Sequence, residues 1–389
     1  MTFQYLSLAA VDAVEPLTSV MAQCFVETPT AIASYLRRIG NPNLRALYRD
    51  NTFLGGLAQI PMGQWFHGRR IPMTGIAAVA IAPECRNQGA AITLMQHTVE
   101  DLFEQGTVLS VLYPAVQRLY RQVGYEQGGS YCGWQIESDR IDITKPVLPV
   151  EPVALTNKEL QQVYNQQAPR HSGHLDRHPY FWQRLQPEAG DGPVYAYRLG
   201  TAENPQGYVI FEQKRLPQGT CLEIKDWAVL TQAATQTLWA LLASHRSIVK
   251  TIRWQSGPID LLTLTLPEQP ATPRFADRWL LRIINLPQAL TLRGYPTGLD
   301  AELHLAVTDE NLPANTGRYV LSVTQGQGHV KLGGHGALQL TSASLAPLYS
   351  GLFSATQLYY AGYLEGDEST RAIADQLFAT TSPWLPDFF

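Results

Sequence analysis

Cysteine is scarce: Cys24, Cys85, Cys132 and Cys221 lie far apart in 389 residues and form neither a C-x-x-C pair nor a disulfide framework. A cystine-stapled scaffold is excluded, and the thiols read as reduced core residues of a cytoplasmic protein. Long apolar runs are missing too. The amino end, MTFQYLSLAAVDAVEPL, has no basic segment followed by a cleavable apolar core, so neither secretion nor membrane spanning is expected. Excess positive charge is also lacking: 29 Lys and Arg face 33 Asp and Glu, for a net charge of −4. That leaves no electrostatic reason to expect nucleic acid or an anionic membrane, and suits a cationic, amine-bearing partner better. What is present, 45% hydrophobic and 16% charged residues, describes a folded chain. Its length predicts two or three domains.

One stretch carries chemistry. Val79 to His97, VAIAPECRNQGAAITLMQH, begins as a β-branched apolar run, breaks at Pro83, passes through the polar segment from Arg86 to Ala91 and continues as an apolar-periodic helix. At a strand-loop-helix junction the first helical N–H groups lack intrahelical partners and the dipole favours negative charge, which makes a seat for a diphosphate. Gly89 allows close backbone approach, Ala90 and Ala91 keep the rim low, and Arg86 adds a cation. Arg86-x-x-Gly89-x-Ala91 resembles the R-x-x-G-x-G/A acetyl-CoA signature of the GNAT acyltransferases. The same spacing also occurs in an ordinary glycine-containing strand-to-helix turn.

The surrounding order agrees with that resemblance. Val14 to Phe25 and Ala31 to Ile39 read as amphipathic helices. Asn43 to Arg49, Thr52 to Ile60, Met62 to Phe66 and Met73 to Ile81 read as strands, with turns at Asp50-Asn51 and His67-Gly68. The signature helix runs to about Gln105. Val108 to Tyr113 is a further strand, Pro114 to Gln122 a short helix, and Tyr131 to Ile136 another strand. Ile141 to Pro152 suits a connector.

A second unit repeats the pattern. Lys158 to Asn165 and Tyr180 to Leu185 read as helices, Val194 to Arg198, Gly207 to Glu212 and Cys221 to Val229 as strands, and Gln232 to Ser244 as an amphipathic helix. At the junction equivalent to RNQGAA stands only Leu230-Thr231-Gln232-Ala233-Ala234, so a duplicated GNAT-like unit without cofactor binding is inferred. From Trp279 a short helix and a meander of strands follow: Leu303 to Val307, Arg318 to Val323, Val330 to Leu332 and Ala337 to Leu340. Helices from Ala346 to Phe353 and Arg371 to Phe378 close the chain. Gly326-Gln327-Gly328 and Gly333-Gly334-His335-Gly336 lead into no helix and read as hairpin turns.

Three units in this order resemble the enhanced-intracellular-survival (Eis) family of acetyltransferases. The most specific matches are the RNQGAA loop, LYRQVGY at Leu119 to Tyr125, WLLRIINLPQAL at Trp279 to Leu290, LYSG at Leu348 to Gly351 and the aromatic end. The resemblance implies an α/β chain with mixed α+β sheets: an active GNAT domain over 1–148, a degenerate GNAT-like domain over 149–277 and a C-terminal domain of sterol-carrier (SCP2) type over 278–389. It implies acetyl-CoA as cosubstrate, held by Val79, Ala80, Ile81, Arg86, Asn87, Gln88, Gly89, Ala90, Ala91 and Ile92. No metal is implied.

Acetyl transfer from a thioester needs a neutral attacking amine, a held oxyanion and a proton for the leaving thiolate. Tyr120, in LYRQVGY, matches the family's general acid, and a tyrosine of ordinary pKa near ~10 is protonated at neutral pH. Apart from the motif it reads as a core aromatic with a satisfied hydroxyl. In the Eis family the chain's own terminal carboxylate, carried by a Phe, serves as the base; here the residue is Phe389. A free α-carboxyl titrates near ~3.5 and is a feeble base unless burial raises it. A tail ending Trp-Leu-Pro-Asp-Phe-Phe is apolar enough to dock, as base or as packing. The family often carries an acid beside that Phe, where this chain has Phe388, with Asp387 one step earlier. Glu27 matches an acidic position of the substrate cleft and also suits an exposed helix end, while Trp65 and Phe66 fit either the cleft or the core.

The implied reaction acetylates amines of a multi-amine substrate, aminoglycoside-like or lysine side chains, by direct attack in a ternary complex. The opposing reading is a lapsed acyltransferase that binds a small molecule or lipid through its C-terminal domain. His171, His174, His178 and Asp176 lack metal-site spacing and read as a solvated loop and helix start. A homohexamer is expected by resemblance, for which Tyr359, Tyr360 and Tyr363 serve as interface or, equally, as core.

Overall fold

The computed structural model describes residues 3–9, 14–187 and 192–389. The chain forms two compact units: 1–129 with 278–381 and Phe389, and 130–277 with 382–388. In chain order the elements are β1 (Phe3–Ser7), α1 (Val14–Phe25), α2 (Pro29–Ile39), β2 (Leu44–Arg49), β3 (Thr52–Phe66), β4 (Arg69–Ile81), α3 (Ala90–Glu104), β5 (Leu109–Leu112), α4 (Gln117–Arg121) and β6 (Glu126–Glu137). There follow β7 (Val150–Pro152), α5 (Lys158–Gln167), β8 (Leu175–Asp176), α6 (Pro179–Gln183), β9 (Val194–Gly200), β10 (Pro205–Leu216), β11 (Gly219–Val229), α7 (Gln232–Ala243), β12 (Val249–Ser256) and β13 (Thr272–Ile283). The last stretch holds α8 (Leu286–Leu292), β14 (Ala301–Thr308), β15 (Gly317–Thr324), β16 (Gln327–Leu332), β17 (Leu338–Thr341), α9 (Ser342–Ser350), α10 (Ala355–Tyr360), β18 (Leu364–Glu365) and α11 (Glu368–Phe378).

In the first unit the strand order is β1-β2-β3-β4-β5-β13. Only β4 and β5 run parallel there; the other neighbours are antiparallel. Two tight hairpins set the register. Asp50 and Asn51 have φ of 48° and 65°, and His67 and Gly68 have 47° and 73°, the consecutive left-handed residues that match strand twist. Leu94, Met95, Val99 and Leu102 of α3 bury their stripe against Leu54, Leu57 and Ile76 of the sheet. Leu280, Ile284 and Leu312 complete that core. A second sheet of this unit has the order β16-β15-β14-β17-β18.

The segment from Trp279 to Ile283, expected to open the third unit, is instead a strand: Leu280 to Ile283 pair antiparallel with Leu112 to Leu109. Its near-continuous apolar run reflects burial on both faces, which periodicity does not separate from a helix. Arg282 interrupts that run. It is fully buried because its guanidinium donates to Asp309 Oδ1 at 2.7 Å and Ser342 Oγ at 2.7 Å. The Gly333 to Gly336 cluster is not a hairpin turn either. It carries the chain from β16 to β17, which lie on opposite sides of β15 and β14. Strands β1 and β12 and helix α10 escaped the sequence reading; β1 is a short edge strand whose residues alternate between half-buried and exposed.

In the second unit the order is β6-β12-β11-β10-β9-β7, with β11 and β12 parallel. The expected connector thus ends in a strand, since Val150–Pro152 pairs with β9. The strand-to-helix junction at β11 and α7 repeats that at β4 and α3. Here Thr231 caps the helix with its own side chain, accepting from Ala234 N at 3.1 Å.

Candidate active site

The candidate site grows from the way β4 separates from β5. The two strands pair from Met73 to Ile76 and then diverge. A bulge beyond that point helps: Gly56 faces Ala80 and Ala58 faces Ala77, so Leu57 opposes both Ala78 and Val79. Ala78 takes φ 52°, and the bulge re-aims the backbone of Val79, Ala80 and Ile81. The backbone of these three residues therefore lies where β5 no longer supplies a partner strand.

At the end of β4 the loop closes on itself. Arg86 donates through Nε to the Ile81 carbonyl at 3.2 Å and through Nη2 to Cys24 Sγ at 3.1 Å. Gln88 is held by Arg49 at 2.7 Å and donates to the Glu84 carbonyl at 3.0 Å. Asn87 and Gly89 are left-handed, with φ 60° and 82°. Gly89 is the N-cap of α3, and no side chain caps that helix. In contrast to α7, the amides of Ala90, Ala91 and Ile92 therefore begin a helix with open space at Gly89, where an added Cβ meets nothing within 4 Å. An uncapped helix start, an exposed Arg86 and a diverging strand fit a nucleotide thioester: its diphosphate at the helix, its pantetheine arm along β4.

Tyr120 lies on α4 and is buried, with its ring edge-on to Tyr125 at 6.3 Å. Among the described residues its hydroxyl has no hydrogen-bond partner, unlike that of Tyr125, which meets Ser110 Oγ at 2.7 Å. Burial pushes the Tyr120 phenol up to about 12. It is thus protonated, and able to donate a proton, at neutral pH.

Phe389 is buried, and its ring packs edge-on to Tyr113 at 5.5 Å. The floor of its seat is Gly75, where an added Cβ would stand 2.6 Å from both Phe389 Cε2 and Met62 Cε. Gly75 lies one residue before the strands diverge, so the terminal ring sits at the mouth of the splay. Gly75, Met62 and Tyr113 were not picked out from the sequence; a glycine inside an apolar strand was the available signal, since it marks close approach.

Glu27 is exposed just beyond α1, following the left-handed Val26 at φ 57°. Trp65 is half-buried on β3. Phe66 is fully buried, edge-on to Tyr349 at 5.5 Å, and belongs to the core. Tyr359, Tyr360 and Tyr363 are exposed, so the core reading of these residues is overturned. The histidine segment is not a solvated loop: His171 and His174 stack at 4.7 Å, and His174 is fully buried. His178 does start a helix, accepting from Tyr180 N. Among the described residues no group of three or more His, Cys, Asp or Glu is arranged to hold a metal. No helix among them is long and apolar enough to cross a membrane.

Residues 7–128 match the Acetyltransferase (GNAT) domain family, as do residues 173–283 through a second model of that description, and residues 286–386 match the Sterol carrier protein domain. A solved GCN5-related N-acetyltransferase from Anabaena variabilis is 48% identical, covers 100% of both chains and superposes with a TM-score of 0.98. The chain belongs to the GCN5-related N-acetyltransferase family and is an acetyltransferase of mixed α/β fold, with two GNAT domains followed by an SCP2-like domain. Its resemblance to the Eis enzymes holds as well: N-acetyltransferase Eis of Mycobacterium tuberculosis is 23% identical over 329 residues, 80% of this chain and 79% of that protein. Eis1 from Mycobacterium abscessus shares the fold, with 20% identity and a TM-score of 0.83 over 100% of both chains.

Proposed function

We propose that the chain acetylates amines of a multi-amine substrate, aminoglycoside-like or lysine-bearing, with acetyl-CoA bound along β4 and at the start of α3. The amine attacks the thioester carbonyl directly. Backbone N–H groups of the Val79 to Ile81 stretch face the developing oxyanion, Tyr120 protonates the leaving thiolate, and the Phe389 carboxylate, through a water, takes the proton released by the amine. The bonds balance: C–N forms, C–S breaks, and one proton passes to sulfur as another leaves nitrogen. Glu27 and Trp65 line the acceptor side, where a carboxylate favours a polycation. We further propose a cytoplasmic homohexamer, with the exposed Tyr359, Tyr360 and Tyr363 in a subunit interface.

The observation that supports this reading is the seating of the Phe389 ring on Gly75, one residue before β4 and β5 part. A lipid-carrier role is disfavoured at the Arg293 end of the C-terminal domain. Arg293 is fully buried there, donating to the carbonyls of Tyr349 at 2.7 Å and Phe378 at 3.2 Å, with its guanidinium 5.0 Å from the Tyr295 ring centroid. A buried cation among filled aromatic contacts is a poor seat for a sterol. The test is release of free CoA thiol from acetyl-CoA across an amine panel headed by a multi-amine aminoglycoside. Amine-dependent release exceeding one acetyl per acceptor molecule supports the reading; no release with any amine, despite acetyl-CoA binding, sinks it.

A further inference from the structure

The second GNAT-like unit repeats the splayed sheet of the first. Strands β11 and β12 pair only from Thr220 to Glu223 with Val249 to Arg253, and diverge beyond. In the second unit the wedge is filled by indoles. Trp227 of β11 reaches across and donates from its indole to the Gln255 carbonyl at 3.0 Å. On Trp227 stacks a second indole, that of Trp384, at 6.2 Å and 21°.

Residues 382–388 belong to this second unit, and their contacts are those of a bound peptide. The backbone forms an isolated parallel β-bridge between Trp384 and Ser130: Ser130 N donates to the Pro383 carbonyl and Leu385 N to the Ser130 carbonyl, each at 3.0 Å, while Trp384 N donates to the Ser172 carbonyl at 3.1 Å. The Trp384 indole sits edge-on to His174 at 4.3 Å and lies over Gly257, where an added Cβ would be 3.0 Å from Cδ1. Among the described residues both ring nitrogens of the buried His174 lack partners, which a neutral imidazole tolerates as an aromatic wall but not for free. Three residues on, Asp387 Oδ2 accepts from Arg177 Nε at 2.9 Å. Arg177 is itself fixed by a bidentate pair with Asp226 at 2.7 and 2.8 Å and by the face of Tyr164 at 3.7 Å. A slot for an indole, strand-like backbone pairing and a preset guanidinium for a carboxylate together make a sequence-selective peptide site.

We infer that the second GNAT-like unit, which has lost the cofactor loop, is a receptor for the chain's own C-terminal segment, gripping Trp384 in its splay and Asp387 on Arg177. Only Phe388 separates Asp387 from Phe389. The grip thus limits the reach of the terminal residue to a few ångströms of chain. The receptor stands independently of the chemistry assigned to Phe389; only its effect on turnover rests on that reading.

Hydrogen exchange of the full chain, followed on the peptide covering residues 382–389, tests the inference. The amides of Trp384 and Leu385 should exchange at least ~100-fold more slowly than in a free peptide. Gly257→Val, which fills the indole slot while leaving the tail's own residues unaltered, and Asp387→Asn, which weakens the ion pair, should each restore exchange by tenfold or more while peptides from β9 and β10 stay protected. Tail amides that exchange freely in the unaltered chain, or protection unchanged in both variants, would overturn the receptor. Thiol release on the same variants separates the two readings: a freed tail with full turnover upholds the receptor and removes Phe389 from the mechanism.

Discussion

Gly75→Ala is the sharpest probe of the terminal residue's role. An added Cβ would lie 2.6 Å from Phe389 Cε2 and Met62 Cε, and 3.1 Å from Phe389 Cδ2. Carbon atoms rest at about 3.5–4.0 Å, so the Phe389 ring must retreat by roughly 1 Å or Met62 must turn away. Overpacking of this kind costs about 1–3 kcal/mol, felt as a lowered melting temperature. If the Phe389 carboxylate accepts the amine proton, the same ~1 Å shift should reduce kcat by on the order of 100-fold, about 2.7 kcal/mol in the barrier. The KM for acetyl-CoA should hold, because Gly75 lies apart from the Arg86 to Ile92 loop. Steady-state thiol release measures both constants, and a melting curve confirms folding. Pairing with Phe389→Leu makes the case stringent: the smaller side chain keeps the carboxylate and removes the ring, so the double variant should recover much of the lost kcat. A folded Gly75→Ala enzyme with unaltered kcat, or a double variant no better than the single, would refute the coupling between seat and chemistry.

Tyr120→Phe should lower kcat by about 10²–10⁴-fold, the range for loss of a positioned acid, with acetyl-CoA binding measured by calorimetry nearly unchanged. Because burial raises the Tyr120 phenol to about 12, no alkaline fall in kcat below about pH 10 should be traceable to it; a limb near pH 8 that vanishes in Tyr120→Phe would count against this. Asp309→Ala should destabilise the protein by about 3–5 kcal/mol, since it strands the buried Arg282 guanidinium, and Asp309→Ala with Arg282→Met should be milder than the single change. Acid should weaken the second unit through His171, whose imidazole is lowered to about 4 by burial first and Arg170 second. The unfolded chain binds that proton near pH 6.5 and the folded one near 4, so stability from this group is full above pH 6.5 and falls between pH 6.5 and 4, by on the order of 3 kcal/mol. His174 shifts in the same direction. Denaturant midpoints at pH 7 and 5 check it: His171→Phe should flatten the difference, and an equal fall in both proteins would clear His171 of the effect.

By itself the sequence determined the local devices. Asp50-Asn51 and His67-Gly68 turn hairpins because consecutive left-handed residues are cheap there, and both are legible as dipeptides. The helix after the Arg86 to Ala91 segment and the absence of Gly and Arg before α7 were readable because a helix start is a short-range event, whereas the cap at Gly89 and the start at Ala90 came from the structure, and the order of elements carried the family. Only the tertiary structure decided what depends on distant partners. That Trp279 to Ile283 is a strand beside β5, with Arg282 buried on Asp309, follows from pairing across more than 150 residues, to which no local period is sensitive. The exposure of Tyr360 against the burial of Phe66 and the packing of Phe389 on its glycine seat were equally hidden, although a glycine inside the β4 run hinted at a close approach. An aromatic reads the same in a sequence whether it faces solvent, a core or a reacting atom; burial and partners are properties of the whole fold.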